Sequence, residues 1–296
     1  MEAQNPCYAA FVSKHRIYYM PDSKINIAAL PFLGIHIACV AAFWLRVDAV
    51  AIWMCLGLFL VHKFGITAGY HRYFSHRSYK TSRLFQFLLA FIGGTSGQKG
   101  ALWWAAYHRH HHKYSDTKHD IHSAEKQGFY WSHIGWILSP QYDGYDQKLV
   151  KDLTRYPELI WLEKYHALPP IILGFGCYLA YGWLGLWSYF ISTVILYHTT
   201  FAINSLCHVF GSQRYRTGEA SKNSWWLAII TFGEGWHNNH HRYPMSARQG
   251  FFWWEIDISY YILVALSWVG IVWDLKQPPQ ELLQPEAMIT KASSAI

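Results

Sequence analysis

The hydrophobic pattern begins with two long apolar runs, at 26–46 and 50–70, which are separated by a short turn around Asp48. Each run has about the twenty residues that an α-helix needs to cross the hydrocarbon core of a bilayer. Because the turn between them is short, the two runs predict a hairpin of transmembrane helices.

A second pair of apolar runs covers 168–184 and 186–207 and is broken near Gly182 and Gly185. The loop between these runs carries no Lys or Arg, as expected for a turn on the far side of the membrane. The pair predicts a second hairpin. With four spans in total, the predicted fold is an all-α integral membrane protein in which residues 1–296 form a single domain.

Polar, basic sequence fills the region between the two hairpins and the region after the second one. By the positive-inside rule, both regions are predicted to be cytoplasmic. Two crossings separate them, so both return to the same face of the membrane. We therefore predict a multi-pass protein with a cytosolic helical cap and with both termini on the cytoplasmic side. The cap covers 71–165 and 208–276, and peripheral tails cover 1–24 and 277–296.

Two further apolar runs, at 84–102 and 251–273, could each be another span. Glycines interrupt the first run, and Glu255 and Asp257 lie near the start of the second. Carboxylates are costly in lipid, and one more span would change the parity of the crossings. We therefore expect cytoplasmic or interfacial helices that cover the cap.

Composition agrees with a membrane protein, because the chain has 16 Trp, 21 Tyr and 17 Phe and only 15% of its residues are charged. The formal charge of +7 could indicate nucleic acid. Lys and Arg cluster between the spans, however, so topology explains them and no nucleic-acid partner is predicted. The five cysteines form no CxxC pair and predict neither a disulfide framework nor a thiolate metal site.

The spacing HxxHH occurs twice, as His-Arg-His-His-His at 108–112 and His-Asn-Asn-His-His at 237–241. In a helix, residues three or four apart project from one face, while adjacent residues diverge by about 100°. Each box can therefore address two neighbouring metal ions. Two such boxes predict a metal site.

Other elements could add ligands. His71 and His76 form an HxxxxH pair, which lies about 140° apart on a regular helix and requires two metals or a helix end. Asn204 and His208 are four residues apart and share one face at the end of the fourth predicted span. His36, His62 and His198 lie in apolar runs and are expected to be hydrogen-bonded core residues. The candidate ligands are His71, His76, His108, His111, His112, Asn204, His208, His237, His240 and His241.

Nine imidazoles exceed the needs of one ion, so two ions are implied. Imidazole ligands without thiolate suit iron, zinc, copper or nickel. Zinc hydrolysis normally needs only three protein ligands and a water, so two imidazole-rich metals favour redox chemistry. Asp116, Asp120 and Glu234 lie close to the boxes and could orient metal-bound imidazoles, or they could make surface hydrogen bonds in the cap.

Five segments together resemble membrane-bound fatty acyl desaturases of the delta-9 type, which includes stearoyl-CoA desaturases. The segments occur in the family's order and extend over most of the chain. They are AGYHRYFSHRSYK at 68–80, HRHHHKYSD at 108–116, QGFYWSHIGW at 127–136, NSLCHVFG at 204–211 and GEGWHNNHHRYP at 233–244.

The resemblance implies four transmembrane helices under a cytosolic cap and two iron ions held by the nine histidines, with Asn204 bound through water. It implies an oxygen-dependent reaction that introduces a cis double bond, most often at carbons nine and ten. A bent apolar tunnel would position the chain, and the positions that match its polar bend residues are Gln98, Trp104 and Thr200.

One departure concerns the head group of the substrate. Animal acyl-CoA enzymes carry an Arg-Asp pair before the second box, whereas this chain has Ala106 and Tyr107. Acyl-CoA is still favoured over acyl-lipid or acyl-carrier-protein substrates. The chain has neither a His-Pro-Gly-Gly haem motif nor a cysteine set for an iron–sulfur cluster, so a separate electron-donor protein is expected. The alternatives are a related di-iron hydroxylase or alkane monooxygenase and, from another class, a non-enzymatic membrane metal transporter.

Overall fold

The computed structural model describes residues 26–40 and 44–288. The predicted tail 1–24, three residues of the first predicted span and the last part of the tail 277–296 lie outside these residues. The described chain is mostly helical, as predicted.

The first two helices are α1, Leu30–Val40, which follows a 3₁₀ turn, and α2, Ala49–Phe64. Asp48 caps α2, because its Oδ1 accepts the backbone N–H of Ala51 at 2.9 Å. The helix continues without a break into π-helical turns at Gly65–Ser75. The combined rod, Ala49–Ser75, has 27 residues and is long enough to cross a bilayer.

A later helical segment, α8, covers Leu168–Val209 but reverses direction at Tyr181 and Gly182, whose backbone is not helical. Gly182 has φ +56°, a left-handed conformation that favours glycine. The two arms pack against each other, since a side chain at Gly174 would touch the ring of Tyr189. Fifteen residues of straight helix extend about 22 Å, so this contact requires the reversal that the sequence predicts.

Two helices in the described chain are long and apolar enough to cross a membrane, Ala49–Ser75 and Leu168–Val209. The helix α1 has 11 residues, which correspond to about 17 Å. The first arm of α8, 168–180, is about 20 Å long by the same rise per residue. Both are shorter than the roughly 30 Å of a hydrocarbon core, so four complete crossings remain a prediction.

The remaining elements form the cap. They are α3 Arg83–Gly94, α4 Ala101–Tyr114, α5 Ala124–Gln127, a π-helical turn Trp131–Gly135, α6 Trp136–Leu138, α7 Pro157–Lys164, α9 Trp225–Ile230, α10 His237–Arg242 and α11 Ile258–Trp268. Short 3₁₀ turns connect several of them. A two-residue strand β1, Lys80–Thr81, pairs antiparallel with β2, Val272–Trp273. The main apolar core lies between the π-helical turns, α3 and α4.

The two ambiguous apolar runs form short helices. The run at 84–102 contains α3, with 12 residues, and the start of α4. The run at 251–273 contains α11, with 11 residues. Neither helix reaches the length of a span. Glu255 and Asp257 are fully buried inside the cap and form ion pairs with arginines, which explains how an apolar segment tolerates them.

The start of α4 is fixed by a side chain from α7. Glu163 Oε2 accepts the backbone N–H groups of Leu102 at 2.9 Å and of Trp103 at 3.2 Å. These N–H groups have no partner within the helix, since they belong to its first turn. Farther along α4, the Arg109 guanidinium binds the Asp152 carboxylate at 2.7 Å. The two contacts hold the helix that carries the first histidine box.

Candidate metal centre

The π-helical turns align the HxxxxH pair. The backbone N–H of His76 donates to the carbonyl of His71 at 3.3 Å, which is the five-residue hydrogen bond of a π-helix. The two imidazole rings consequently lie 4.9 Å apart. His76 is the C-cap of these turns, so the pair lies at a helix end, which is one of the two arrangements that the sequence allowed. The π-helical winding, wider than that of the regular helix from which 140° was calculated, brings the two rings together.

Five imidazoles converge in the first cluster. They come from the π-helical turns, α4 and α10, and their nearest ligand nitrogens lie within 4.8 Å of one another. The Nε2 atoms of His76 and His108 are 2.7 Å apart, and those of His71 and His240 are 3.0 Å apart. The members are His71, His76, His108, His112 and His240.

Four imidazoles converge in the second cluster, again with ligand atoms within 4.8 Å of one another. The Nε2 atoms of His208 and His237 are 3.1 Å apart. The Nε2 atom of His241 is buried and has no hydrogen-bond partner among the described residues. The members are His111, His208, His237 and His241.

Each histidine box contributes to both clusters. In α4, His111 faces the second cluster while its neighbour His112 faces the first, and their rings are 5.7 Å apart. In α10, His240 faces the first cluster and His241 the second, also with rings 5.7 Å apart. The divergence of adjacent helical residues thus makes two neighbouring sites from one pair of boxes.

The donor set fits two transition-metal ions. Imidazole nitrogens bound at about 2.1 Å and at right angles are about 3.0 Å apart, which is close to the separations in both clusters. Burial and neighbouring histidines hold the pKa values of His76, His108, His112, His237, His240 and His241 well below the usual range. These imidazoles are therefore neutral near pH 7, and neutral imidazole is the form that binds metal.

Three carboxylates face the Nδ1 atoms of clustered histidines. Asp120 lies 3.0 Å from Nδ1 of His111, and Asp116 lies 2.9 Å from Nδ1 of His208. Glu234 forms a short hydrogen bond with Nδ1 of His71. Such contacts fix the tautomer of the ring, so that Nε2 carries the lone pair that faces the cluster.

The pKa shifts at these contacts agree with carboxylates that are ionised and accept the hydrogen bonds. Burial alone would raise the pKa values of Asp116, Asp120 and Glu234, but hydrogen bonds and nearby cationic or protonatable groups lower all three. Burial opposes protonation of His111, yet the charge and hydrogen bond of Asp120 outweigh it and raise the pKa of His111. The carboxylates are therefore ionised and act as acceptors.

Sequence reasoning missed two residues at the centre. Glu219 lies in a loop, 3.6 Å from Nδ1 of His241 and 3.9 Å from Nδ1 of His208. Gln249 donates from Nε2 to Glu234 at 3.0 Å and lies 3.2 Å from Nδ1 of His71. Neither residue belongs to a box, and only the folding of separate loops brings them close.

A cavity of about 920 Å³ adjoins the clusters. Its lining is mainly apolar and aromatic, and it includes His108 of the first cluster and Asn204, which lies one turn before His208 on α8. This size is at the upper end of small-molecule sites. The cavity therefore gives an apolar ligand direct access to the candidate metal centre.

Gln98, Trp104 and Thr200, the predicted bend residues, all line this cavity. The Trp104 ring stacks on His108 with centroids 5.0 Å apart. The Nε2 atom of Gln98 and the Oγ1 atom of Thr200 are buried without a hydrogen-bond partner among the described residues. Unpaired buried polar atoms are uncommon, so these two groups are available to a ligand beside the clusters.

The cavity lining combines two kinds of residue. From the cap, Lys99 is the single Lys or Arg among the described lining residues, and its Nζ pairs with Asp143 Oδ1 at 2.9 Å. From α8, Tyr178 and Trp183 lie near the reversal of the helix. The lining therefore joins a polar part with a paired charge at the cap to an aromatic part at the apolar hairpin.

Comparisons with known proteins agree with this chemistry. The family model for fatty acid desaturases matches residues 48–273. An sn-1 stearoyl-lipid 9-desaturase from Anabaena variabilis is 38% identical over 265 residues, which cover 86% of this chain and 94% of that protein. A delta-9 acyl-lipid desaturase from Arabidopsis thaliana is 36% identical, with 89% of this chain and 87% of that protein covered. An acyl-CoA 5-desaturase from Anemone leveillei is 34% identical, with coverages of 83% and 78%.

Proposed function

The chain belongs to the fatty acid desaturase family, and from this premise we propose that it introduces a cis double bond at the delta-9 position of a saturated acyl chain, using dioxygen and two iron ions. The observation that carries the proposal is the pair of imidazole clusters beside one apolar cavity. The relatives named as 9-desaturases support the position of the double bond.

The proposed ligands are the nine clustered histidines, with Asn204 beside the second cluster. When bound, two iron ions would supply, together with dioxygen, the oxidising power to remove one hydrogen from each of two adjacent methylenes. The protein's part is to hold the acyl chain. An unactivated chain has no polar group near the reacting carbons, so a shaped apolar cavity must fix its position. Gln98, Trp104 and Thr200 are proposed to define the bend beside the metal centre.

The carboxylates Asp116, Asp120 and Glu234 are proposed to orient three of the ligands. Each accepts the Nδ1–H of a histidine and keeps the Nε2 lone pair directed at its cluster. Partners of this kind typically change metal affinity by about 10- to 100-fold when they are removed. They should therefore be needed for metal loading even though none faces the substrate cavity.

The acyl carrier is proposed to be a membrane lipid, with acyl-CoA as the second candidate. The sequence alone favours acyl-CoA, but the relatives include two named for lipid substrates and one named for acyl-CoA. The cavity lining supports the lipid, because Asp143 pairs with Lys99, the single Lys or Arg among the described lining residues. A coenzyme A head group carries several phosphates and would be expected to meet unpaired Arg or Lys side chains.

A separate electron donor is proposed as the partner. Reduction of dioxygen to two waters consumes the two hydrogens of the acyl chain together with two electrons and two protons from elsewhere.

We also propose that the cap and the metal centre lie on the cytoplasmic side of a multi-pass membrane protein. The apolar helices Ala49–Ser75 and Leu168–Val209 and the basic character of the cap support this topology.

The test is expression in cells that lack delta-9 desaturase activity, followed by mass spectrometry to locate double bonds in the cellular lipids. We expect new cis delta-9 products, which should be absent with His240→Ala and unchanged with His119→Ala, a cap histidine outside both clusters. Hydroxylated products in place of alkenes would contradict desaturation. Full activity in His240→Ala would contradict the ligand assignment.

A further inference from the structure

One surface of the cap is rich in exposed tryptophan. On α9, Trp225 is 67% exposed and lies beside Trp226, and in the loop after Phe251, Trp253 is 82% exposed and lies beside Trp254. Exposed isoleucines occur in the same two segments. We define the tryptophan face as Trp225, Trp226, Ile229, Ile230, Trp253, Trp254 and Ile256, which are all exposed.

Backbone contacts join the two segments into one surface. The indole N–H of Trp236 donates to the carbonyl of Ile256 at 2.8 Å. The backbone N–H of Ser259 donates to the carbonyl of Phe232 at 3.1 Å. The end of α9 and the loop that carries Trp253 are therefore neighbours, although they are more than twenty residues apart in sequence.

The tryptophan face lies beside the apolar part of the spanning helices. On its inner side, Leu227 packs with Ala202 and Cys207 in the last turns of α8. Phe232 contacts Phe59 of α2, with ring centroids 6.4 Å apart. Phe59 precedes His71 by twelve residues on the continuous helix Ala49–Ser75. The face therefore adjoins the spanning helices near the ends that lead to the metal centre.

No charge reaches the outer side of this surface from its own segments. Glu255 and Asp257 are both fully buried. Their partners are inside the cap, where Asp257 pairs with Arg72 at 2.9 Å and Glu255 pairs with Arg214. Segments 224–233 and 249–254 contain no Lys, Arg, Asp or Glu. These segments thus contribute an apolar, aromatic surface, and the nearest cation from another segment is Arg214, which packs over the Phe252 ring and pairs with Glu255.

We infer that the tryptophan face is seated in the interfacial region of the bilayer, in addition to the spanning helices. Indole rings suit this region, because one edge is apolar and the N–H can bind water or head groups. The last residues of α9 lead through Glu234 into α10, which carries His237 and His240. Contact with lipid would therefore fix the depth of the metal centre relative to the membrane. The inference does not depend on the reaction that is catalysed.

The test uses the full chain, labelled with 5-fluorotryptophan and reconstituted alone into phosphatidylcholine nanodiscs. Fluorine NMR resolves the indoles, and Trp225→Phe, Trp253→Phe and Trp254→Phe assign three signals by their loss. Lipids with a nitroxide near the head group broaden signals in the interface, and a water-soluble gadolinium chelate broadens signals in water. The matched control is Trp273, which is half-exposed in β2 beside the ion pair of Lys80 and Asp274.

We expect the nitroxide lipid to broaden the signals of Trp225, Trp253 and Trp254 at least twofold more than that of Trp273. The gadolinium chelate should do the reverse. Broadening of the three signals by the chelate alone would overturn the inference, since the face would then be in water. Broadening by neither agent would overturn it too, because a second copy of the chain would then cover the face.

Discussion

Arg72 and Asp257 form an ion pair at 2.9 Å in which both side chains are almost completely buried, at 1% and 0% exposure. Arg72 also binds Glu234 at 3.1 Å, and Glu234 in turn orients His71. A single guanidinium from the π-helical turns Gly65–Ser75 thus neutralises two carboxylates from the cap. The Arg72 guanidinium thus connects this helix to the metal centre by ion pairs, without being a metal ligand itself.

Removal of this guanidinium should be costly. Arg72→Met leaves two buried carboxylates without their cation, which typically destabilises a protein by about 3–5 kcal/mol. Thermal unfolding in detergent measures the effect. The control is Arg83→Met, which breaks the exposed pair with Glu158 and should lower the unfolding temperature much less, because water solvates these charges and screens their attraction. Equal losses in the two variants would show that burial of the Arg72 pair has no special role.

Glu234→Gln should weaken the metal centre without unfolding the cap. The amide keeps the size of the side chain but loses the charge that faces His71 Nδ1. We expect iron affinity to fall by about 10- to 100-fold, measured by competition with a chelator. Glu125→Gln, at an exposed position of α5, is the matched control. Wild-type affinity in Glu234→Gln would contradict the orienting role.

Glu163 should make the stability depend on pH. Burial raises the pKa of its carboxyl from 4.5 to about 7, and the backbone N–H groups of Trp103 and Leu102 only partly offset this. The folded chain therefore binds a proton that the unfolded chain has lost between about pH 4.5 and 7. The stabilisation is fully present below pH 4.5 and is lost as pH rises to about 7 and above, with an upper bound of about 3 kcal/mol.

Glu163→Gln removes this proton and should flatten the pH dependence of the unfolding midpoint between pH 5 and 8. Glu158→Gln is the control with the opposite sign, because the hydrogen bond from Arg83 lowers the pKa of Glu158. Its contribution to stability is lost in acid rather than in base. An unchanged slope in Glu163→Gln would contradict the burial argument.

Gly174 should influence the length of the acyl chain that the cavity accepts. It lines the cavity beside Tyr189, and an added Cβ would lie 3.3 Å from that ring. Gly174→Val should reduce the space here and raise the ratio of shorter to longer products by about tenfold or more, since a single methylene in an apolar pocket can be worth about tenfold. Product analysis by gas chromatography measures the ratio. Gly176→Val is the control, because nothing lies within 4 Å of its added Cβ.

The sequence predicts those parts of the site that depend on the spacing of residues along a helix. The two HxxHH boxes predict paired sites because adjacent helical residues diverge, and His111 and His112 do face different clusters. The hydrogen bond between His36 and His198, at 3.1 Å, agrees with the expected hydrogen bonding, but both residues are half-buried rather than in the core. His62 was expected to have a partner as well, but neither of its ring nitrogens has one among the described residues, so that prediction was wrong.

Other features depend on information that local spacing does not hold. The π-helical turns Gly65–Ser75 pack against α3 and α4, and local spacing did not predict their wider winding, so a regular helix gave the wrong angle for His71 and His76. Glu219 and Gln249 reach the centre from loops with no periodic pattern. The lengths of the predicted spans were also uncertain, since apolar composition does not distinguish a complete span from a short helix such as α1.

The number of iron ions per chain tests the central claim most directly. The purified chain, reconstituted with ferrous iron, should bind two iron ions per chain, as measured by elemental analysis. Its Mössbauer spectrum should be that of iron with mainly nitrogen ligands. His240→Ala removes a ligand of the first cluster and His237→Ala removes one of the second, and each variant should retain fewer than two. One ion per wild-type chain, or two ions retained in both variants, would contradict the account.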